Sequence, residues 1–179
     1  MRTDEKELQE KIASFLAKYF DVEKEVWSTD YKRRIDITMF HKSDILHSYP
    51  IGIEIKTDDK KSGSTLGCWL KQCIIYTQKE FKNYGELMII TYPQIAEKCL
   101  SEGQLMSKHN VFESGILAHQ NNVNTFLAQF GIGELQRYRH EGKEYVRIVF
   151  NAKMIWDQRK DLFRTDNYKL CRQLQYSKM

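Results

Sequence analysis

Residues 51–57, IGIEIKT, constrain this chain more than any other stretch. Strict alternation along a strand puts Ile51, Ile53 and Ile55 on one face and Glu54 and Lys56 together on the other, so two charges stand side by side in an otherwise buried run. Such a strand has either a wet face, with Glu54 and Lys56 as cross-strand partners for Arg34 and Thr38, or a site. A second apolar run, ELMIITYP, ends at Pro93 and arrives directly after a helical segment. That succession predicts a crossover into parallel pairing with the IGIEIKT strand.

The elements around these runs follow from periodicity. Residues 4–20 carry Leu8, Ile12, Phe15, Leu16 and Tyr19 on one helical stripe, with acids in the first turn where the helix dipole favours them. EKEVWS and RRIDITMF read as two strands separated by the polar turn TDYK, and the third strand follows the loop HKSDILHSY, which includes His41 and His47. DDKKSGS breaks the chain, and Leu66, Trp69, Leu70, Cys73 and Ile74 then share one arc of a helix expected over about 65–81. The core order is helix, three strands, helix, strand. Beyond it come a short helix near QIAEKCL, a longer one within VFESGILAHQNNVNTFLAQF, a hairpin at GELQRYRHEGKEYVRIVF with Glu-Gly in its turn, and a tail of helical tendency. The expected architecture is α/β with a mixed central sheet, in one domain over 1–179: a core at about 5–92 and a C-terminal helix and hairpin elaboration at about 93–179.

Composition narrows the class. The 179 residues are 41% hydrophobic and 29% charged, as in a soluble globular protein, and lack a run of the roughly 18–20 apolar residues that spans a membrane. The charged start MRTDEKELQE is unlike a secretory signal, so an intracellular location, cytoplasmic or nucleoid-associated, is expected. Lys and Arg exceed Asp and Glu by 28 to 24, a net charge of +4 that is compatible with a polyanion partner without requiring one. Cys68, Cys73, Cys99 and Cys171 form no C-x-x-C pair, and the five histidines have no ligand spacing, so neither zinc nor an iron–sulfur cluster is suggested.

RRIDITMF supplies a partner for Glu54. Ile35 and Ile37 alternate with Arg34, Asp36 and Thr38, so antiparallel pairing of the second and third strands brings Asp36 towards Glu54. Two converging carboxylates repel unless a positive charge lies between them, and a hard divalent cation such as Mg2+ or Mn2+ is the usual solution. Lys56 then stands beside it, where an ammonium can orient an attacking water or stabilise developing phosphate charge.

Asp36, an interval of 17 residues, then Glu54-Ile55-Lys56 resembles the PD-(D/E)xK nucleases, an acid on one strand followed by E-x-K on the next. The element order over roughly residues 5–92 is similar to that family's restriction-endonuclease-like αβββαβ core. Gln72 and Tyr76, four apart on the second helix, look like the Q-x-x-x-Y motif of its RecB-like and lambda-exonuclease-like branches. Ile35 stands where the family name has proline, and the cysteine quartet of the iron–sulfur members is missing. The resemblance implies a metal-dependent deoxyribonuclease of replication, repair or recombination, with Asp36, Glu54, Lys56, Gln72 and Tyr76 in the catalytic machinery. Its implied metal set is Asp36 and Glu54 with Ile55 between acid and lysine, and Glu7 as the helical acid; Glu10 is the less favourable alternative because it points away from the buried stripe.

The implied partner is DNA. Lys60, Lys61 and Ser62 in the loop after the third strand are candidates for phosphate contact, and Arg137, Arg139 and Arg147 interleave with Tyr138 and Tyr145 on the late hairpin as a groove or stacking surface. A Holliday-junction-type or restriction endonuclease and a non-catalytic nucleic-acid-binding module both stay open, as do a homodimer and a phage or mobile-element origin.

Overall fold

A computed structural model describes residues 5–56, 66–92, 125–151 and 153–176. The chain is α/β. Among the described residues the order is α1 (Glu5–Leu16), β1 (Phe20–Trp27), β2 (Arg34–His41), β3 (Ile51–Ile55), α2 (Leu66–Thr77), β4 (Glu80–Phe81), β5 (Gly85–Glu86) and β6 (Met88–Tyr92). After a helical stretch at 125–129 come β7 (Ile132–His140), β8 (Lys143–Phe150), β9 (Lys153–Asp157), β10 (Leu162–Phe163) and α3 (Thr165–Tyr176).

Among the described residues an eight-stranded mixed sheet runs β1-β2-β3-β6-β7-β8-β9-β10. β3 and β6 pair in parallel with Ile51 opposite Met88, as their crossover requires, and β6 and β7 also pair in parallel. The C-terminal strands therefore extend the sheet of the N-terminal core instead of forming a separate layer. β9 and β10 were not expected from the sequence, since each is short or only partly alternating. The expected helix at 65–81 stops at Thr77, and Glu80–Phe81 turns into a small hairpin with Gly85–Glu86. The expected helix at QIAEKCL, Cys99, and all but 125–130 of the VFESGILAHQNNVNTFLAQF segment lie outside the described residues.

All five residues of β3 are buried, because the sheet is covered on both faces. Ile51, Ile53 and Ile55 pack with Ile12, Ala13 and Leu16 of α1 and Tyr168 and Cys171 of α3. Trp69, Cys73 and Tyr76 of α2 cover the other face together with Leu127 and Ile132. Gly133 permits a close approach: a Cβ there would stand 2.7 Å from the Val149 carbonyl oxygen on β8. The β7–β8 hairpin closes through Glu141 and Gly142, both at positive φ (50° and 75°), as a two-residue turn matched to the strand twist demands.

The alternation expected along β2 breaks at Asp36. Val26 and Ile35, a cross-strand pair, pack on the α2 side, whereas Ile37 and Met39 pack on the α1 side. The β1–β2 register is continuous on either side of Glu25 and Asp36, but those two are unpaired in the ladder and Glu25 takes a φ of 57°. The ribbon thus rolls over at the candidate acid, and Ile35 and Ile37 do not share a face.

Candidate functional site

Asp36 and Glu54 arrive opposite each other. β2 and β3 pair with Ile37 across from Ile53, Thr38 from Gly52 and Met39 from Ile51, and one further step of that register sets Asp36 across from Glu54. Beyond Ile37 the backbone ladder gives way to a side chain: the Ile55 N–H donates to Asp36 Oδ2 at 2.7 Å. Ile55 therefore enters the site through its backbone, while its side chain is fully buried in the core.

Glu54 is 1% exposed, so the reading of β3 as a solvated strand face fails. Lys56 Nζ lies 2.7 Å from Glu54 Oε1 and is itself only 15% exposed. That approach supplies charge proximity without directed bonding, since neither Glu54 oxygen accepts a well-oriented hydrogen bond among the described residues. Burial, and then the neighbouring Asp36, push the Glu54 carboxyl from 4.5 up to about 8, against the pull of Lys56. Burial also raises Asp36, with the Glu5 charge adding to it, against the Ile55 N–H, Lys56 and the Glu54 side chain, which all pull it down. For Lys56, burial opposes the charge, but Glu54, Glu5 and Asp36 together outweigh it and raise the pKa. The site is short of positive charge.

Both helices clamp the backbone that carries Asp36. Gln9 on α1 donates to the Asp36 carbonyl at 2.7 Å, supplying a partner where the ladder to Glu25 is interrupted. On α2, Gln72 Nε2 donates to Tyr76 Oη and Tyr76 Oη donates to the Arg34 carbonyl, both at 2.6 Å. The Q-x-x-x-Y residues thus hold the acid-bearing strand and act as positioning residues. Burial raises the Tyr76 pKa, so the phenol stays protonated as a donor.

Glu7 is not at the site. It is exposed and pairs with Lys11 at 2.6 Å, one turn along the outer side of α1, and Glu10 pairs with Lys24. The helical acid near the site is Glu5, whose Oε1 lies 3.6 Å from Lys56 Nζ. The signal was present in the spacing: positions 5, 9, 12 and 16 lie on one helical face, the face that buries Gln9, Ile12 and Leu16. Polar Glu5 and Gln9 interrupt its hydrophobicity, so the apolar stripe alone, which begins at Leu8, does not mark this face.

On the α2 face the polar row continues across the sheet. Thr91 pairs with Glu54 on one side and Glu134 on the other, and all three are buried. Thr91 Oγ1 has no hydrogen-bond partner among the described residues. Gln136 donates to Glu134 at 3.2 Å and accepts from Arg147 Nε at 3.0 Å, and the Arg147 guanidinium lies 5.2 Å from the centre of the Tyr138 ring. Glu134 and Gln136 were not picked out in the sequence, since nothing in a hairpin strand shows that parallel pairing will set it beside Thr91.

The hairpin residues divide differently from the expected interleaving. Tyr138 pairs across the strands with Tyr145, their rings 5.7 Å apart, and Arg147 joins them on that face. Arg137 and Arg139 project from the opposite face, and Arg139 pairs with Glu144 at 3.2 Å. They do not share a surface with the tyrosines. Lys60, Lys61 and Ser62 lie outside the described residues. His41, placed in a loop from the sequence, ends β2 and is buried, with Nδ1 2.7 Å from Ser43 Oγ and Nε2 3.0 Å from Asp161 Oδ1.

No protein-family model, curated protein or solved structure matches this chain. Among the described residues no helix is long and apolar enough to cross a membrane, and no group of three or more His, Cys, Asp or Glu forms a metal cage. A buried carboxylate, Glu54, with both oxygens lacking directed donors, beside the half-buried Asp36, still fits Mg2+ or Mn2+, since Mg2+ is usually held by one or two carboxylates together with water and substrate phosphate. The three-acid set expected from the sequence is not assembled.

Proposed function

We propose that this chain is a metal-dependent deoxyribonuclease of the PD-(D/E)xK type, with a restriction-endonuclease-like core, acting in DNA replication, repair or recombination. The observation that carries this reading is the register that sets Asp36 across from buried Glu54, with the Lys56 ammonium 2.7 Å from the Glu54 carboxylate. The observed order α1-β1-β2-β3-α2-β6, interrupted by the β4–β5 hairpin, also supports it.

Asp36 and Glu54 would hold the cation, which when bound supplies Lewis-acid polarisation of the phosphoryl oxygen. Asp36 presents its carboxylate in a fixed orientation, because the Ile55 N–H occupies Oδ2. Lys56 stays charged and places its ammonium where a water can be oriented and phosphate charge stabilised. Gln9, Gln72 and Tyr76 fix the β2 backbone, so the two acids keep their separation when charge changes.

Incubation with linear, circular, single-stranded and branched DNA, in Mn2+ and in chelator, tests the proposal. Metal-dependent degradation by wild type that Glu54→Gln and Lys56→Ala both lose supports it. A folded wild-type chain that cuts none of these substrates in Mg2+ or Mn2+ overturns it and leaves the nucleic-acid-binding module. Survival of circles while linear DNA disappears marks an exonuclease; nicked circles or resolved junctions mark an endonuclease.

A further inference from the structure

The turn between β1 and β2 brings exposed aromatic rings and consecutive cations to the margin of the candidate site. Trp27, at the end of β1, the outermost strand among the described residues, is 43% exposed and Tyr31 is 65% exposed. Lys32, Arg33 and Arg34 follow directly, all exposed. The Arg34 guanidinium lies 5.6 Å from the Trp27 ring centre and 3.3 Å from Glu25, so it is an oriented cation.

This turn is built, not merely solvated. Ser28 Oγ donates to Asp30 Oδ1 at 2.6 Å, the Lys32 N–H donates to the same oxygen at 3.1 Å, and Lys79 Nζ donates to Asp30 Oδ2 at 2.6 Å. The Arg33 N–H donates to Ser28 Oγ at 3.0 Å and the Tyr31 N–H to the Ser28 carbonyl at 2.9 Å. Tyr31 takes a φ of 54°, a left-handed conformation that Asn or Gly adopts more readily than tyrosine. Fixing a large ring outward on a rigid frame removes the ordering cost a ligand would otherwise meet.

We infer that the β1–β2 turn binds single-stranded DNA, stacking an unpaired base on Tyr31 and pairing phosphates with Lys32 and Arg33, beside the scissile position. The DNA identity rests on the nuclease reading; the stacking chemistry rests on the turn. An aromatic ring with adjoining cations suits a strand with exposed base faces, whereas a paired duplex keeps those faces inside its stack. Along extended chain Arg34 is about 7 Å from Asp36, and Tyr31 is no further than about 17 Å, so one strand reaches both.

The test is fluorescence anisotropy of a labelled oligodeoxythymidylate with the intact chain in chelator, where no cleavage intervenes. Tyr31→Asn, which suits the left-handed backbone, is expected to keep the melting temperature and weaken binding about 5- to 150-fold. Tyr31→Trp restores it. Lys32→Ala combined with Arg33→Ala lowers the slope of log affinity against log salt by about 1.4, the value for two phosphate contacts on a single strand. Tyr31→Asn binding within about twofold of wild type, or a loss that Tyr31→Trp does not restore, overturns the inference. Wild type that cuts DNA while Tyr31→Asn binds normally removes the turn site and keeps the nuclease. Wild type that binds through Tyr31 and cuts nothing in Mg2+ or Mn2+ removes the nuclease and keeps the turn site.

Discussion

Tyr76 on α2 donates a 2.6 Å hydrogen bond to the backbone carbonyl of Arg34, two residues before Asp36. A side chain of the second helix thus fixes the strand that carries the first acid, and Gln9 does the same from the first helix. Tyr76→Phe leaves the Arg34 carbonyl without this donor, at an expected cost of about 1–2 kcal/mol in urea denaturation. In the nuclease reading kcat falls more than KM rises, because the displaced group is an acid and not a substrate contact. An unchanged kcat would reduce Tyr76 to a packing role.

Burial of Glu54 has a pH signature. Its carboxyl titrates at about 8 in the fold and near 4.5 when ordinarily solvated, so between those values the folded chain holds a proton that the unfolded chain has released. Stability of the metal-free protein therefore declines as pH rises from about 4.5 to 8, by up to a few kcal/mol. Melting temperature against pH measures it, and Glu54→Gln, neutral throughout, should flatten the decline. Excess Mn2+ should raise the melting temperature of wild type at the alkaline end, and leave Glu54→Gln nearly unmoved.

Glu5 and Glu7 separate cleanly. Glu5 is 3.6 Å from Lys56, while Glu7 spends its charge on Lys11 at the surface. Glu5→Gln removes one of the acids that hold Lys56 charged, so the alkaline limb of the pH–rate profile should move to lower pH. Glu7→Gln should leave that limb in place and cost only about 0.2–0.5 kcal/mol, the worth of an exposed pair one helical turn apart. Equal shifts in the two variants would refute this division of roles.

Gly133→Ala tests the junction of β7 with β8. The added methyl meets the Val149 carbonyl oxygen at 2.7 Å, a backbone atom that cannot swing aside like a side-chain end. A loss of about 1–3 kcal/mol is expected in chemical denaturation. Gly52→Ala meets the Cδ1 atoms of Ile35, Leu87 and Ile89, ends of side chains that can rotate, and should cost less. The reverse ranking would mean that β7 and β8 are looser at this point than their register implies.

The sequence by itself determined the first helix, the strands through β3, the parallel arrival of β6 and the β7–β8 hairpin, because periodicity and turn residues are local properties. It also determined that Asp36, Glu54 and Lys56 belong together, since a fixed register across two adjacent strands leaves little freedom. Only the tertiary structure decided that Glu54 is dry, that α1 offers Glu5 and not Glu7, and that Thr91 and Glu134 extend its polar row. Those outcomes depend on which layer covers each face, on how a helix is rotated about its axis and on pairing between strands about 40 residues apart in the chain, none of which a local pattern encodes. The break at Asp36 belongs with them: the ribbon rolls where Glu25 adopts a positive φ, so alternation that holds along either half of β2 fails across the one residue on which the site depends.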